Sequence, residues 1–453
     1  MELFGTAGIR GPVATRVTPE LALRVGRAAG LAALESDGPS EFVVGRDGRT
    51  TGQGLAAAVE AGLLSAGADV SRIGVVPTPT LAFASQGRRG VMLTASHNPP
   101  ADNGIKMFVD GQEYDRDLEQ DIERRVEAGA DPVAWDQWGA RGDLDVLKTY
   151  RTAVVEFAEQ HGVSAEGLNV AVDCGNGMSA LGTPQVLRDL GAHVVTLNAQ
   201  VDGHFPGRES KPTPETLKDL RAFVAEGDFD FGIGHDGDSD RIVIIDSEGE
   251  VVHEDTIIAI VAEHYVRTSD VVDPVVVTTP NASGRIDERV REAGGRVERV
   301  RLGALHEGIA SARADGGDVV FAAEPWKHIH TAFGGWIDGV ASAALITRLV
   351  AKSGLDGLRE PVTERPYRKI SITCPDEKKA PAMEALETSL PEGLDPESVD
   401  TEYGVRLEFA DASWTLVRPS GTEPYIRVYA EADDVDDLVA RVSDVVEAEI
   451  DAA

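Results

Sequence analysis

The sequence predicts an α/β protein: three homologous α/β domains with mixed sheets, then a smaller C-terminal α+β domain. Three observations carry this. A short Val/Ile-rich strand, a helix-like stretch and a second strand ending in a polar, chemically loaded loop recur three times. Solenoid repeats are far shorter than these, so each copy reads as a domain. The last stretch, from Tyr367 to Ala453, abandons the pattern. A length of 453 residues agrees, suggesting about three domains and allowing four. The expected boundaries give domains at 1–147, 148–250, 251–364 and 365–453.

In chain order, Phe4-Gly5-Thr6-Ala7-Gly8-Ile9-Arg10-Gly11 is a glycine-rich loop carrying one arginine. It reads either as a flexible start or as a phosphate-facing loop. Pro19 to Leu34 has helical apolar spacing, with Thr18 as its N-cap. The first copy opens with the strand Glu41–Val44 and its turn Gly45-Arg46-Asp47-Gly48. Its second strand, Gly90-Val91-Met92-Leu93, leads into Thr94-Ala95-Ser96-His97-Asn98-Pro99. Asn98, Pro99 and Pro100 stop the strand, so Ser96 stands just past a carboxyl-end sheet edge, where α/β sheets bind ligands. Ser96 is a candidate nucleophile once activated or already carrying a reactive group. His97 could be its activating base, a phosphate contact or a loop histidine satisfied by backbone. Lys106 could shuttle a proton if neighbours tune it; a surface lysine is the plainer reading, though lysine is scarce here.

The second copy runs from Leu168–Gly177 to Phe229–Gly234 and the loop Asp236-Gly237-Asp238-Ser239-Asp240-Arg241. Three carboxylates alternating with small residues converge on one point, which suits a hard divalent cation such as Mg²⁺. An EF-hand is disfavoured: Arg241 stands at its glycine, Ser247 at its closing glutamate, and a strand precedes the loop. An acidic turn in an acidic protein is the plain alternative, against which Arg241 counts, because arginine beside a metal site suits a bridging phosphate. The third copy runs from Pro274–Thr279 to Asp318–Ala323 and then Glu324-Pro325-Trp326-Lys327-His328. Glu324 and His328 could orient a ligand's hydroxyls, share acid–base work, or form a structural pair.

The remainder offers strands near 370–372, 405–409, 413–417 and 426–429, and a closing helix over about 435–450. Its loop Arg418-Pro419-Ser420-Gly421-Thr422-Glu423-Pro424 reads as an anion cradle or an ordinary polar turn, with Arg427 adding to the former.

Composition narrows the function classes. The net charge is −34, and carboxylates are spread rather than clustered, as on a surface kept soluble in molar salt. With no basic stripe, nucleic acid is not an expected partner. No apolar run nears the roughly 20 residues of a membrane span, and the start lacks a signal-like pattern, so a cytoplasmic location is expected. Cys174 and Cys374, far apart, are expected to be reduced and structural.

Taken together, Phe4–Gly11, Thr94–Pro99, Asp236–Arg241 and Arg418–Pro424 resemble, in order and spacing, the α-D-phosphohexomutase superfamily, which includes phosphoglucosamine mutase, phosphomannomutase and phosphoglucomutase. The resemblance covers the whole chain and implies four domains around one cleft. It implies Ser96 as a phosphoserine, and Mg²⁺ on Asp236, Asp238 and Asp240 with that phosphoserine. It also implies Arg10, Lys106 and Arg241 around the reacting phosphoryl group, Lys106 being the general acid or base. Arg418, Ser420, Gly421 and Thr422 would grip the distal phosphate, and Glu324 and His328 the sugar. A hexose 1,6-bisphosphate activator, a phosphosugar substrate and a monomer or homodimer complete the expectation. The family's third motif, Gly-Glu-x-Ser-Gly-His, is altered: Trp326 and Lys327 replace Ser and Gly. The stretch Leu302–His306 also departs from the family's sugar-selecting loop. The motif forms lean towards glucosamine phosphate, with mannose or glucose phosphate next. A non-catalytic sugar-phosphate binder and a phosphatase stand as readings of other classes.

Overall fold

The computed structural model describes residues 3–5, 8–420 and 423–453. The chain divides into two compact units: residues 1–257 with 320–359, and residues 258–319 with 360–453. The third repeat is thereby shared between units.

The first unit begins with β1 (Ile9–Pro12), α1 (Pro19–Leu34), β2 (Phe42–Arg46), α2 (Gly52–Ser65), β3 (Val70–Val75), α3 (Thr78–Ala84), β4 (Arg89–Leu93) and β5 (Asp102–Val109). The helix α1 has the predicted bounds, and Thr18 Oγ1 accepts the Leu21 N–H at 3.3 Å as its cap. Sheet order is β1-β5-β4-β2-β3 with Arg141–Asp143 at the far edge. β2 lies parallel to β3 and β4, whereas β5 runs antiparallel to β4 and to β1. Two expectations change here. Residues from Ile9 on form an edge strand, so Arg10 is held opposite Gly104 rather than on a free loop. β3 was not foreseen, because Val70-Ser71-Arg72-Ile73-Gly74-Val75 mixes polar and apolar residues at a half-buried position and lacks clean alternation.

The second repeat copies the arrangement. Strand Asn169–Asp173 lies parallel to His193–Leu197 on one side and to Phe231–His235 on the other, and Ile242–Asp246 returns antiparallel. In both repeats the loaded loop therefore leaves the strand beside the central one. Residues 320–359 add the hairpin arm Lys327–Ile329 and the buried helix Gly339–Ser353. Asp338 caps that helix by accepting the Val340 and Ala341 N–H groups at 3.0 and 2.8 Å. It also accepts the Tyr150 hydroxyl at 2.8 Å and Trp336 Nε1–H at 3.0 Å, tying the helix to Leu147–Ala158.

In the second unit, Pro274–Thr278 pairs parallel with Arg296–Arg299. The C-terminal sheet is antiparallel, in the order Tyr367–Thr373, Tyr425–Glu431, Trp414–Pro419, Val405–Glu408, Ser398–Asp400. Helices Asp376–Leu394 and Val435–Ala452 bury Leu386, Leu390, Val442 and Val446 in its core. A buried ion pair joins the third repeat to this sheet: Arg285 Nη2 lies 2.8 Å from Glu431 Oε1, and Glu431 also accepts Trp414 Nε1–H at 2.9 Å. Among the described residues, no helix is long and apolar enough to cross a membrane. Both cysteines are buried and unbridged.

Two predictions follow from this packing. Arg285→Leu strands a buried carboxylate and is expected to cost about 3–5 kcal/mol by urea unfolding. The double change Arg285→Leu with Glu431→Leu should cost clearly less; equal costs would contradict the pairing. Burial holds the His328 imidazole down to about 3, and its Nδ1 lies 3.1 Å from Ser342 Oγ. A depressed folded value means stability present above the ordinary value near 6.5 that is lost as pH falls towards 3. The stability advantage of wild type over His328→Gln should therefore shrink by about 2 kcal/mol between pH 7 and pH 5. A constant difference would show that His328 is not held neutral.

Candidate active site

Two loops meet at the site. The first follows β4, where Thr94 Oγ1 accepts the Ser96 N–H at 3.0 Å and turns the chain. Ser96 itself is fully buried with φ +50°, a left-handed backbone that a serine adopts only when its surroundings compel it. The compelling group is Arg49. Its buried guanidinium donates to the Ser96, Asn98, Pro99 and Asp102 carbonyls at 2.9, 2.7, 2.6 and 3.0 Å. Asp47 orients Arg49, accepting its backbone N–H at 2.9 Å and its Nε–H at 3.1 Å. Sequence reasoning quoted Asp47 as part of a turn and missed Arg49; the signal was a second arginine two residues beyond a strand-ending aspartate.

The second loop follows strand Phe231–His235. The His235 ring spans it: Nε2 lies 2.9 Å from Thr183 Oγ1 and Nδ1 2.7 Å from the Arg241 carbonyl. Asp236 Oδ1 accepts the Ser239 N–H at 3.1 Å and the Arg241 N–H at 3.3 Å, curling the loop on itself. Gly237 has a steric reason to lack a side chain: a Cβ there would sit 2.6 Å from the Ser96 carbonyl oxygen. Strands both precede and follow the loop, which rules out a helix–loop–helix calcium hand.

At the meeting point Ser96 Oγ donates to Asp236 Oδ2 at 2.6 Å, with Asp240 Oδ1 at 3.5 Å and His97 Nδ1 at 3.4 Å. Asp236, Asp238 and Asp240 are buried and each offers an oxygen within 4.8 Å of the others. Burial, then Asp240 and Asp238, pushes Asp236 well above the usual carboxylate range. Burial alone would do the same to Asp240, but Lys106, Lys327 and Arg241 hold it well below. Asp238 Oδ2 accepts the Thr78 hydroxyl at 2.6 Å, while its Oδ1 is buried with no hydrogen-bond partner. Hard oxygen donors in excess of protein protons, one of them orphaned, fit a divalent cation such as Mg²⁺.

The cations around this point come from several elements. Lys106 Nζ lies 2.9 Å from Asp240 Oδ2 and 3.6 Å from Asp238 Oδ2. Burial works against its charge, but Asp240, Asp238 and Glu113 raise it overall. Lys106 is thus held as a cation among these carboxylates. Arg241 Nε is 3.9 Å from Asp236 and 3.8 Å from Asp240, and Arg10 has a buried Nε without a hydrogen-bond partner. Burial, then Arg241 and Arg10, holds His97 down to about 3, so its imidazole is neutral.

The altered third motif forms a hairpin in which Glu324 and Lys327 are directly paired around Pro325-Trp326. Lys327 Nζ lies 3.7 Å from Glu324 Oε2. His328 is buried at 2 % exposure, with Nδ1 3.1 Å from Ser342 Oγ, and it lines a small cavity together with Trp326. In the second unit, Arg418 and Arg427 face each other across the sheet, and Arg418 Nε, Arg427 Nε and Ser420 Oγ are buried without hydrogen-bond partners. Three buried donors without partners on one loop and strand pair have the chemistry to take an anion. Gly421 and Thr422, expected to belong to it, lie outside the described residues.

The family models described as phosphoglucomutase/phosphomannomutase alpha/beta/alpha domains I, II and III and C-terminal domain match residues 1–132, 148–249, 253–367 and 370–449. A phosphopentomutase of Thermococcus kodakarensis is 42% identical over 441 residues, covering 95% of this chain and 94% of its own. A probable phosphoglucosamine mutase of Methanopyrus kandleri is 43% identical over 441 residues, with 95% and 94% covered. The crystal structure of a phosphoglucomutase/phosphomannomutase family protein from Burkholderia thailandensis has a TM-score of 0.86 at 26% identity, covering 99% of this chain and 97% of that one. With all four domains matched in order, the chain belongs to the phosphoglucomutase/phosphomannomutase family of phosphohexomutases, isomerases that work by phosphoryl transfer.

Proposed function

We propose that the protein moves a phosphoryl group between C1 and the terminal hydroxyl of a sugar phosphate, with Ser96 as the carrier. The observation behind this is a single one: Ser96 Oγ, on a strained and braced backbone, sits 2.6 Å from one carboxylate of the acidic trio. In the forward step the phosphoserine Oγ–P bond breaks as a sugar hydroxyl oxygen bonds to phosphorus, giving a sugar bisphosphate. In the return step the other phosphate group passes back to Ser96 Oγ. The proton released by the attacking hydroxyl needs an acceptor and Ser96 Oγ needs one back; His97 Nδ1, 3.4 Å from Oγ, and Lys106, whose Nζ lies 2.9 Å from Asp240, are the groups placed for that exchange. Asp236, Asp238 and Asp240 would hold Mg²⁺ together with a phosphoserine oxygen, and Mg²⁺ would supply charge neutralisation for the phosphoryl oxygens. Lys106, Arg241 and Arg10 add fixed positive charge where the phosphoryl is in flight. Arg418, Ser420 and Arg427, with Gly421 and Thr422, grip the phosphate that is not reacting. Glu324 contacts sugar hydroxyls, and a trace of bisphosphate primes Ser96.

For the sugar, glucosamine phosphate is supported by the motif forms and by relatives bearing that substrate's name, such as the one from Methanopyrus kandleri. Pentose phosphate is the second reading, favoured by the relative named phosphopentomutase, with mannose or glucose phosphate after it. The test is a panel of glucosamine, glucose, mannose and ribose 1-phosphates in high KCl with Mg²⁺ and a trace of hexose 1,6-bisphosphate. Glucosamine 1-phosphate is expected to turn over fastest, and Ser96→Ala is expected to lose at least 10³-fold in kcat on every substrate. Full activity in Ser96→Ala would end the carrier role. Net release of inorganic phosphate would mark a phosphatase, and binding without turnover a non-catalytic relative.

A further inference from the structure

The hairpin that replaces the family's third motif carries a lysine on a turn fastened next to the acidic loop. Pro325 and Trp326 are its two turn residues, and Trp326 has φ +66°, a conformation unfavourable for a bulky side chain. Two contacts offset that strain. The indole packs against the cluster containing Leu217, Leu220 and Val224, and the Trp326 carbonyl accepts the Ile242 N–H at 3.0 Å. Ile242 directly follows Arg241, so the hairpin is fastened to the acidic loop itself. Directly opposed strand residues project from one face of a hairpin, which places Glu324 and Lys327 side by side at 3.7 Å. Both are largely buried, at 13% and 17% side-chain exposure, and the Lys327 charge helps hold the Asp240 carboxyl well below its ordinary range. Where the family motif has glycine, this chain therefore has an ammonium group beside Glu324, on a turn fastened to the strand that follows the acidic loop.

We propose that Lys327 is an additional cation of phosphoryl transfer, one that fixes Glu324 and carries positive charge to the phosphoryl group at Ser96. It rests on the reading of Ser96 as the carrier. It also explains how a site that has lost the motif's Ser-Gly pair can still work: the turn position is spent on anchoring through Trp326, and the next position on charge. Lysine on a short, fastened hairpin has limited freedom, so its charge is pre-organised.

The test compares Lys327→Met, Lys327→Gly and Lys327→Arg with wild type, using the full chain in high KCl with Mg²⁺. The readouts are kcat, KM for the best substrate of the panel, and the rate at which dephosphorylated Ser96 is phosphorylated by hexose 1,6-bisphosphate. The expected result is a 10- to 100-fold fall in kcat for the Met and Gly variants, with KM within about threefold. Ser96 phosphorylation should slow in parallel, and Lys327→Arg should recover most of the loss. Wild-type kcat in Lys327→Met, or equal losses in the Arg and Met variants, would overturn the proposal while leaving the Ser96 carrier intact. Bisphosphate that never phosphorylates wild-type Ser96 would instead overturn the carrier reading on which it stands.

Discussion

The structure of the site depends on one constraint: three carboxylates are buried within a few ångströms of each other and of one serine hydroxyl. At about 4 Å in a protein interior, two like charges repel by roughly 4 kcal/mol, so the trio cannot be fully ionised without compensating cations. Everything around it answers that demand. Lys106 reaches in from β5 and Arg241 closes the acidic loop, while Arg10 sits on β1 and Lys327 on the hairpin fastened beside that loop. What they leave uncompensated shows as an orphaned Asp238 oxygen and an Asp236 driven towards its neutral form. In a chain of net charge −34 this local gathering of basic residues is a matter of placement and owes nothing to composition.

Placement in turn comes from a repeated sheet. In each of the first two repeats the loaded loop leaves a strand lying beside the central one, with a returning antiparallel strand next to it. Gly237 permits the acidic loop to lie against the Ser96 carbonyl, and Arg49 gathers four carbonyls of the serine loop into one fixed turn. Arg49 is itself held by Asp47, the residue just after the first strand of its repeat. Backbone strain at Ser96 is therefore supported by a buried network, as expected where strain serves a reacting group.

Much of this was legible in the sequence, and the exceptions have physical causes. The helix Pro19–Leu34, its Thr18 cap, the serine loop and the acidic loop were readable because apolar periodicity and dense local motifs report them directly. Strands Val70–Val75, His193–Leu197 and Arg296–Arg299, at or next to sheet edges, were not, since their partial burial leaves no alternation. Arg49 was missed because its partners are backbone carbonyls some 50 positions away, which carry no side-chain signature. The packing of His328 against Ser342 was not readable either, because the motif reports the residue and not what the fold buries it against. Lys327 looked like a lost glycine; only the hairpin register shows that the substitution places a charge beside Glu324.

The measurement that tests the central claim most directly is transfer of label to the chain. Dephosphorylated protein would be incubated with ³²P-labelled hexose 1,6-bisphosphate and Mg²⁺, quenched, digested and mapped. The account predicts label on the peptide containing Ser96, formed as fast as turnover and chased back into sugar bisphosphate by unlabelled sugar monophosphate. Steady turnover with no label on Ser96, or with label on another residue, would contradict it.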